Sequence, residues 1–178
     1  MQLTRRSFLK ATALGTAGFT MLMQLKASGA VNIRLSACDW SLGARSDPKG
    51  FDIAKEIGLD GLEISPTDEV GDTMKIADPA WRQVYKDAAQ RTGLVISSVA
   101  MGHLNSYPFA TDDRAPAWLE QTIEATADFG AKVILLAFFG DGDLLEKKGL
   151  LGGGGSLKEK EVDTVVERLI KAAPIAKD

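Results

Sequence analysis

Residues 51–65 read FDIAKEIGLDGLEIS. An amphipathic stretch runs into Gly58, and a short apolar segment with one acid, Glu63, follows. This is the pattern of a helix, a glycine stop and a strand, because a glycine just past a helix takes the left-handed conformation that closes it. The phrase recurs as YKDAAQRTGLVIS over 85–97 and as TIEATADFGAKVILLAF over 122–138. The three stops, Gly58, Gly93 and Gly130, lie 35 and 37 residues apart. Such a period marks a repeated αβ unit, and a unit of this size buries its apolar faces only by stacking on its neighbours. Strands alternating with helices predict a parallel sheet with right-handed crossovers, with function in the loops that follow the strands.

Taken in order, the chain predicts a first strand over 31–38, VNIRLSAC, with Asp39, Trp40 and Ser41 just beyond it. Asp47-Pro48 reads as a helix start, with Asp as cap and Pro in the first turn, and the helix ends at Ile57. The second strand covers 59–64, and a polar, acidic loop covers 67–76. Asp78-Pro79 repeats the start signal for a helix with Trp81, Val84, Tyr85, Ala88 and Ala89 on one face. A third strand follows over 94–100, then the loop MGHLNSYPFATDD. A third helix over 115–129 presents Trp118, Thr122, Ala125 and Phe129. The fourth strand, over 131–139, is apolar enough to predict burial on both faces. An irregular loop over 140–156 ends in four glycines and reads as a flexible spacer, and Asp141-Gly142-Asp143 within it reads as a plain turn. The last helix covers 158–173, with Val162, Val165, Val166, Leu169 and Ile170 as its apolar stripe. Four βα units are therefore expected, where a closed barrel of this type has eight. The expectation is half of such a barrel, cut at a unit boundary, or a self-contained open sheet.

The first thirty residues carry Arg5, Arg6, Lys10 and Lys26 and no acid, and removing them takes the formal charge from −3 to −7. An acidic body argues against nucleic acid as a partner, since phosphate contacts need clustered Lys and Arg. Residues 4–10, TRRSFLK, resemble a twin-arginine export signal; a weakly apolar run and the small residues 27–30 follow. The expectation is a signal over 1–30, cleaved near Ala30, with 31–178 as the mature, periplasmic or otherwise extracytoplasmic domain and no stable membrane span after cleavage. Cys38 is the only cysteine, which excludes an internal disulfide and reads as a small buried hydrophobe.

The 51–65 phrase, with LVISSVAMGH over 94–103 and FGAKVILLAF over 129–138, resembles the xylose isomerase-like TIM barrels. That group includes sugar phosphate isomerases and epimerases and endonuclease IV relatives. The resemblance runs over 31–177 and implies the first half of the barrel. It also implies isomerisation or epimerisation of a sugar or polyol, assisted in the full-length form by a divalent metal (Mn, Mg, Zn or Co). The family's metal ligands come mainly from the fifth to eighth strands, so the residues present support no metal and imply a chain inactive alone. Within the chain the resemblance marks His103 and Glu63 as candidate catalytic residues at strand ends. His103 is the only histidine, and its ordinary pKa suits acid–base work near neutrality. Asp39, Trp40 and Asn105 are candidate substrate contacts: an acceptor for hydroxyl protons, an aromatic to stack on a sugar face or to sit in the core, and an amide. Three alternatives stand beside this reading, of which an endonuclease-type barrel acting on DNA is disfavoured by export, acidity and the lack of a basic stripe; the other two follow. One is an exported, non-catalytic carbohydrate-binding or degenerate barrel. The other is a self-contained four-strand domain. A half-barrel also leaves its first and fourth strands as open edges, so residues 31–178 alone are expected to form a homodimer or to aggregate.

Overall fold

The computed structural model describes residues 33–66, 70–146 and 155–177. The expected export signal, residues 67–69 of the acidic loop and residues 152–154 of the glycine run lie outside the described residues. Four parallel strands, β1 (Ser36–Cys38), β2 (Gly61–Ile64), β3 (Val95–Met101) and β4 (Ile134–Leu136), pair in the order of the sequence. The helices between and after them are α1 (Gly50–Ile57), α2 (Pro79–Thr92), α3 (Ala115–Asp128) and α4 (Glu159–Ala172). This is the α/β architecture of four consecutive (β/α) units of a TIM barrel. Among the described residues no helix is long and apolar enough to cross a membrane.

The glycine stops act as the sequence predicts. Gly58 and Gly93 cap α1 and α2 with φ of 83° and 70°, and Gly130 follows α3 with φ of 71°. Asp78 caps α2 by accepting the Ala80 N–H at 2.8 Å. Asp47 does not do the same for α1. It closes a turn, accepting from the Lys49 N–H, and the regular helix starts at Gly50.

One face of the sheet carries the core. Leu62, Ile64, Val99 and Met101 are fully buried and belong to one cluster with Phe51, Tyr85 and Trp118 from the helices. The opposite face is uncovered among the described residues. There Val95, Val133 and Leu135 are 45%, 58% and 41% exposed. The expectation that β4 is buried on both faces therefore fails. It is a three-residue edge strand with one face against α3 and, among the described residues, nothing over the other. Val84 on α2, and Val166 and Ile170 on α4, are exposed although they lie on the predicted stripes. Cys38 is likewise half-buried on the inner face rather than a core residue.

A register shift gives β3 one extra residue, Ser97, between the pairs Leu62↔Ile96 and Glu63↔Ser98. This bulge re-aims the strand just before its end. The Ser97 and Ser36 hydroxyls meet at 2.6 Å, and Ser98 donates to Glu63 at 2.6 Å.

Candidate functional site

Because all four strands are parallel, their C-terminal ends share one rim, and the loops leaving them meet there. The first loop begins with a short 3-10 turn, Asp39–Leu42. Asp39 is fully buried. Its Oδ2 accepts the N–H groups of Ser46 at 2.9 Å and Ser65 at 2.7 Å, and its Oδ1 accepts the Ser65 hydroxyl at 2.7 Å. The carboxylate thus straps the loop after β1 to the end of β2 and holds Ser46 at φ 51°, a conformation a serine adopts only when its surroundings enforce it. The expectation that Asp39 accepts protons from a sugar is corrected. Its lone pairs are committed to protein donors, and the side chain does not reach the surface.

Trp40 is 39% exposed, which decides against a core role for its ring. It lies against the backbone at the next-but-one strand end: a Cβ on Gly102 would come within 3.3 Å of the Trp40 ring and 3.5 Å of the Arg45 guanidinium. Glu63, half-buried on the inner face, accepts from Ser98. The neighbouring Cys38 thiol is pushed above its ordinary range by burial, and after that by the Glu63 carboxylate.

His103 sits in the 3-10 turn Gly102–Asn105 directly after β3. It is 5% exposed, and neither ring nitrogen meets a hydrogen-bond partner among the described residues. Its ring packs edge-on against Trp118, 5.3 Å between centroids. Burial, reinforced by the Arg45 charge and opposed by Asp112, pushes the imidazole down to about 4. The side chain is therefore neutral at pH 7, not poised near neutrality as its ordinary value would have it.

The loop after His103 is tied down on three sides. Asp112 accepts two bonds from the Arg114 guanidinium, which holds the Asp112 carboxyl below the usual range. Arg114 stacks over Trp118 and Tyr107, at 4.6 and 5.3 Å. The Trp118 indole donates to the Gly71 carbonyl at 2.8 Å. On the far side, Asn105 Oδ1 accepts the Phe139 N–H at 3.0 Å. Asn105 is thus a tie between the loops after β3 and β4. The two loops also touch by backbone: a Cβ on Gly142 would lie 2.4 Å from the Leu104 carbonyl oxygen. Gly142→Ala is expected to cost about 1–3 kcal/mol, because the obstacle is backbone and one loop must move. A denaturation midpoint equal to that of the unaltered protein would show that the loops separate freely.

The structure therefore gathers Trp40, His103 and the neighbours Arg45, Asp112 and Trp118 at one point of the rim, with Glu63 on the inner face beside Cys38 and Ser98. Sequence reasoning missed the Arg114–Trp118–Tyr107 stack. Its signal was an arginine at the start of a helix, where the dipole disfavours a cation unless a partner such as Asp112 compensates. No three His, Cys, Asp or Glu side chains converge among the described residues. Around Glu63 the available groups are a serine hydroxyl and a thiol that resists deprotonation. The described donor set does not fit a divalent metal.

Comparison with known proteins agrees with this architecture. The family model described as xylose isomerase-like TIM barrel matches residues 51–178. No curated protein sequence gave a match. Among solved structures, the chain is similar to D-psicose 3-epimerase from Clostridium cellulolyticum H10, with a TM-score of 0.56 and 14% identity, over 82% of this chain and 49% of that one. It is also similar to 3-keto-D-glucoside 4-epimerase from E. coli, with a TM-score of 0.52 and 19% identity, over 72% and 46%. A third is D-allulose 3-epimerase from Methylomonas sp., with a TM-score of 0.51 and 16% identity, over 81% and 48%. The chain spans about half the length of each of these epimerases. At these identities the likeness concerns the fold. With the family match over most of the chain and the parallel order of its strands, it shows that this protein belongs to the xylose isomerase-like TIM barrel family.

Proposed function

We propose that the chain forms one wall of the substrate site of an exported sugar isomerase or epimerase. The observation that carries the reading is His103: a neutral, buried imidazole without a hydrogen-bond partner among the described residues, placed at a strand end next to Gly102, against which the exposed Trp40 ring lies. A buried polar group left unpaired costs free energy, and such groups recur where a ligand completes them. Both ring nitrogens lie beneath the surface, so a hydroxyl reaches them only when the rim loop opens; the neutral imidazole then donates through one nitrogen and accepts through the other, which suits a hydroxyl better than an anion. Trp40 offers a flat apolar face for a sugar ring. Glu63, on the inner face of the sheet beside Ser98, accepts hydrogen bonds from hydroxyls, or a proton from a carbon next to a carbonyl. The sugar epimerase neighbours support a ketose or keto-sugar as the substrate class. In this reading the chain binds and orients the sugar, and no step is assigned to a metal held by the described residues.

The test uses the full-length protein with D-psicose and D-tagatose, followed by calorimetry and by proton exchange into the sugar from deuterated water. Binding with exchange at one carbon is expected, and Trp40→Ala is expected to weaken binding about tenfold, roughly 1.4 kcal/mol for a lost stacking surface. Binding without exchange would favour the non-catalytic carbohydrate-binding alternative. Absence of both would overturn the assignment.

The export part of the proposal rests on Thr4-Arg5-Arg6 and the apolar run behind it. Replacing Arg5 and Arg6 together by lysine is expected to leave uncleaved protein inside the cell. Normal processing of that double variant would remove the export reading.

A further inference from the structure

The turn carrying His103 is held from an unexpected direction. Arg168 lies in the middle of α4, and its side chain is 17% exposed. Its Nη1 donates to two backbone carbonyls of the loop between β3 and α3, those of Phe109 and Asp112, both at 2.7 Å. It also pairs with Asp113 at 3.7 Å, but that carboxylate is fully exposed and the pair contributes little. The two carbonyl bonds are therefore the contact that matters. They satisfy the Phe109 carbonyl and add to the Ala115 N–H bond that the Asp112 carbonyl already accepts.

The same loop reaches His103 by two routes. Asp112 and Arg114 form a bidentate pair, and Arg114 stacks on Trp118, whose indole packs against the imidazole. Asp112 also acts directly on the imidazole, with Arg45 acting from the loop after β1. Phe109 is fully buried and packs edge-on against Phe138. Removing Arg168 leaves that anchor in place and frees the polar half of the loop.

We propose that Arg168 is a positioning residue for the rim of the barrel: by holding the Phe109 and Asp112 carbonyls, it seats the loop over residues 109–114 against Trp118 and so keeps the His103 imidazole enclosed. Arg168 touches neither the imidazole nor the inner face, and it acts only through the loop. The inference rests on the proposed sugar site for its bearing on function, while the positioning itself is tested without any ligand.

His103 is the only histidine, so its titration is read from the full chain by NMR without assignment ambiguity. The groups facing it are Arg45 and Asp112, with opposite effects, and burial outweighs both. Water admitted by a loosened loop should therefore raise its pKa. In Arg168→Leu the value is expected to move from about 4 toward the ordinary 6.5, with the helical circular dichroism retained. Arg168→Lys, which keeps the charge but ends one bond short of the Nη1 position, should fall between and covers the case in which the leucine variant does not fold. Asp113→Asn removes only the exposed pair and should leave the titration where it was. A folded Arg168→Leu or Arg168→Lys protein with an unshifted His103 would overturn the proposal. A shift accompanied by no sugar binding in the unaltered protein would leave the positioning intact and remove the sugar reading instead.

Discussion

Asp39→Ala is expected to lower the folding free energy by about 3–5 kcal/mol, because three buried donors lose their acceptor at about 1–3 kcal/mol each. Alanine would leave the Ser46 and Ser65 N–H groups and the Ser65 hydroxyl without their acceptor, in a place that water does not reach. It would also release Ser46 from its left-handed backbone conformation, so the loop that carries Trp40 and Arg45 would relax. Asp39→Asn keeps the shape but turns an amide toward one of the donors, and should cost about half as much. Equilibrium urea unfolding of both variants checks this. A loss below about 1 kcal/mol for alanine would mean that water or the remaining chain replaces the carboxylate. The distinction bears on function, since a substrate-contacting aspartate would cost binding and little stability.

The second large effect is a dependence of stability on pH caused by His103 alone. The imidazole is held down to about 4 in the folded chain against 6.5 when unfolded. Above pH 6.5 both states are neutral and stability is complete. As pH falls from 6.5, the unfolded chain takes up a proton that the folded chain refuses, and stability drops until about pH 4. The total is on the order of 3 kcal/mol, at 1.36 kcal/mol for each pH unit of difference. The carboxyls held low by partners, Asp47, Asp112 and Asp128, have a reference value of 3.8 and lose their stabilisation below that window. His103→Leu fills a similar volume with no unpaired nitrogen. It should flatten the profile between about pH 6.5 and 4, leave stability at pH 7 within about 1 kcal/mol, and make the variant the more stable protein near pH 4.5. A variant with the slope of the unaltered chain would show that other groups carry it. Loss of sugar binding in this variant without loss of stability would separate the functional role of the imidazole from its structural one.

The opening phrase and its two repeats were enough to read the parallel (β/α) order. The second, third and fourth strands each follow a helix and a glycine in the left-handed conformation that closes it. The placement of Trp40, Glu63 and His103 at strand ends was legible for the same reason, since a residue's distance from its strand is a local property. Which side chains remain available to a ligand was not legible. Asp39 and Asn105 look like open polar groups in the sequence, yet partners 26 and 34 residues away take up their oxygens. The burial that lowers the His103 pKa depends on Trp118, fifteen positions along, and on a loop pinned by Arg168. The expected two-sided burial of β4 failed because composition records that a strand is apolar, while coverage depends on which layers stand over it. Local chemistry, in short spans, determined the elements and their order. Hydrogen bonds and packing between loops far apart in the chain decided which residues at the rim are free to act.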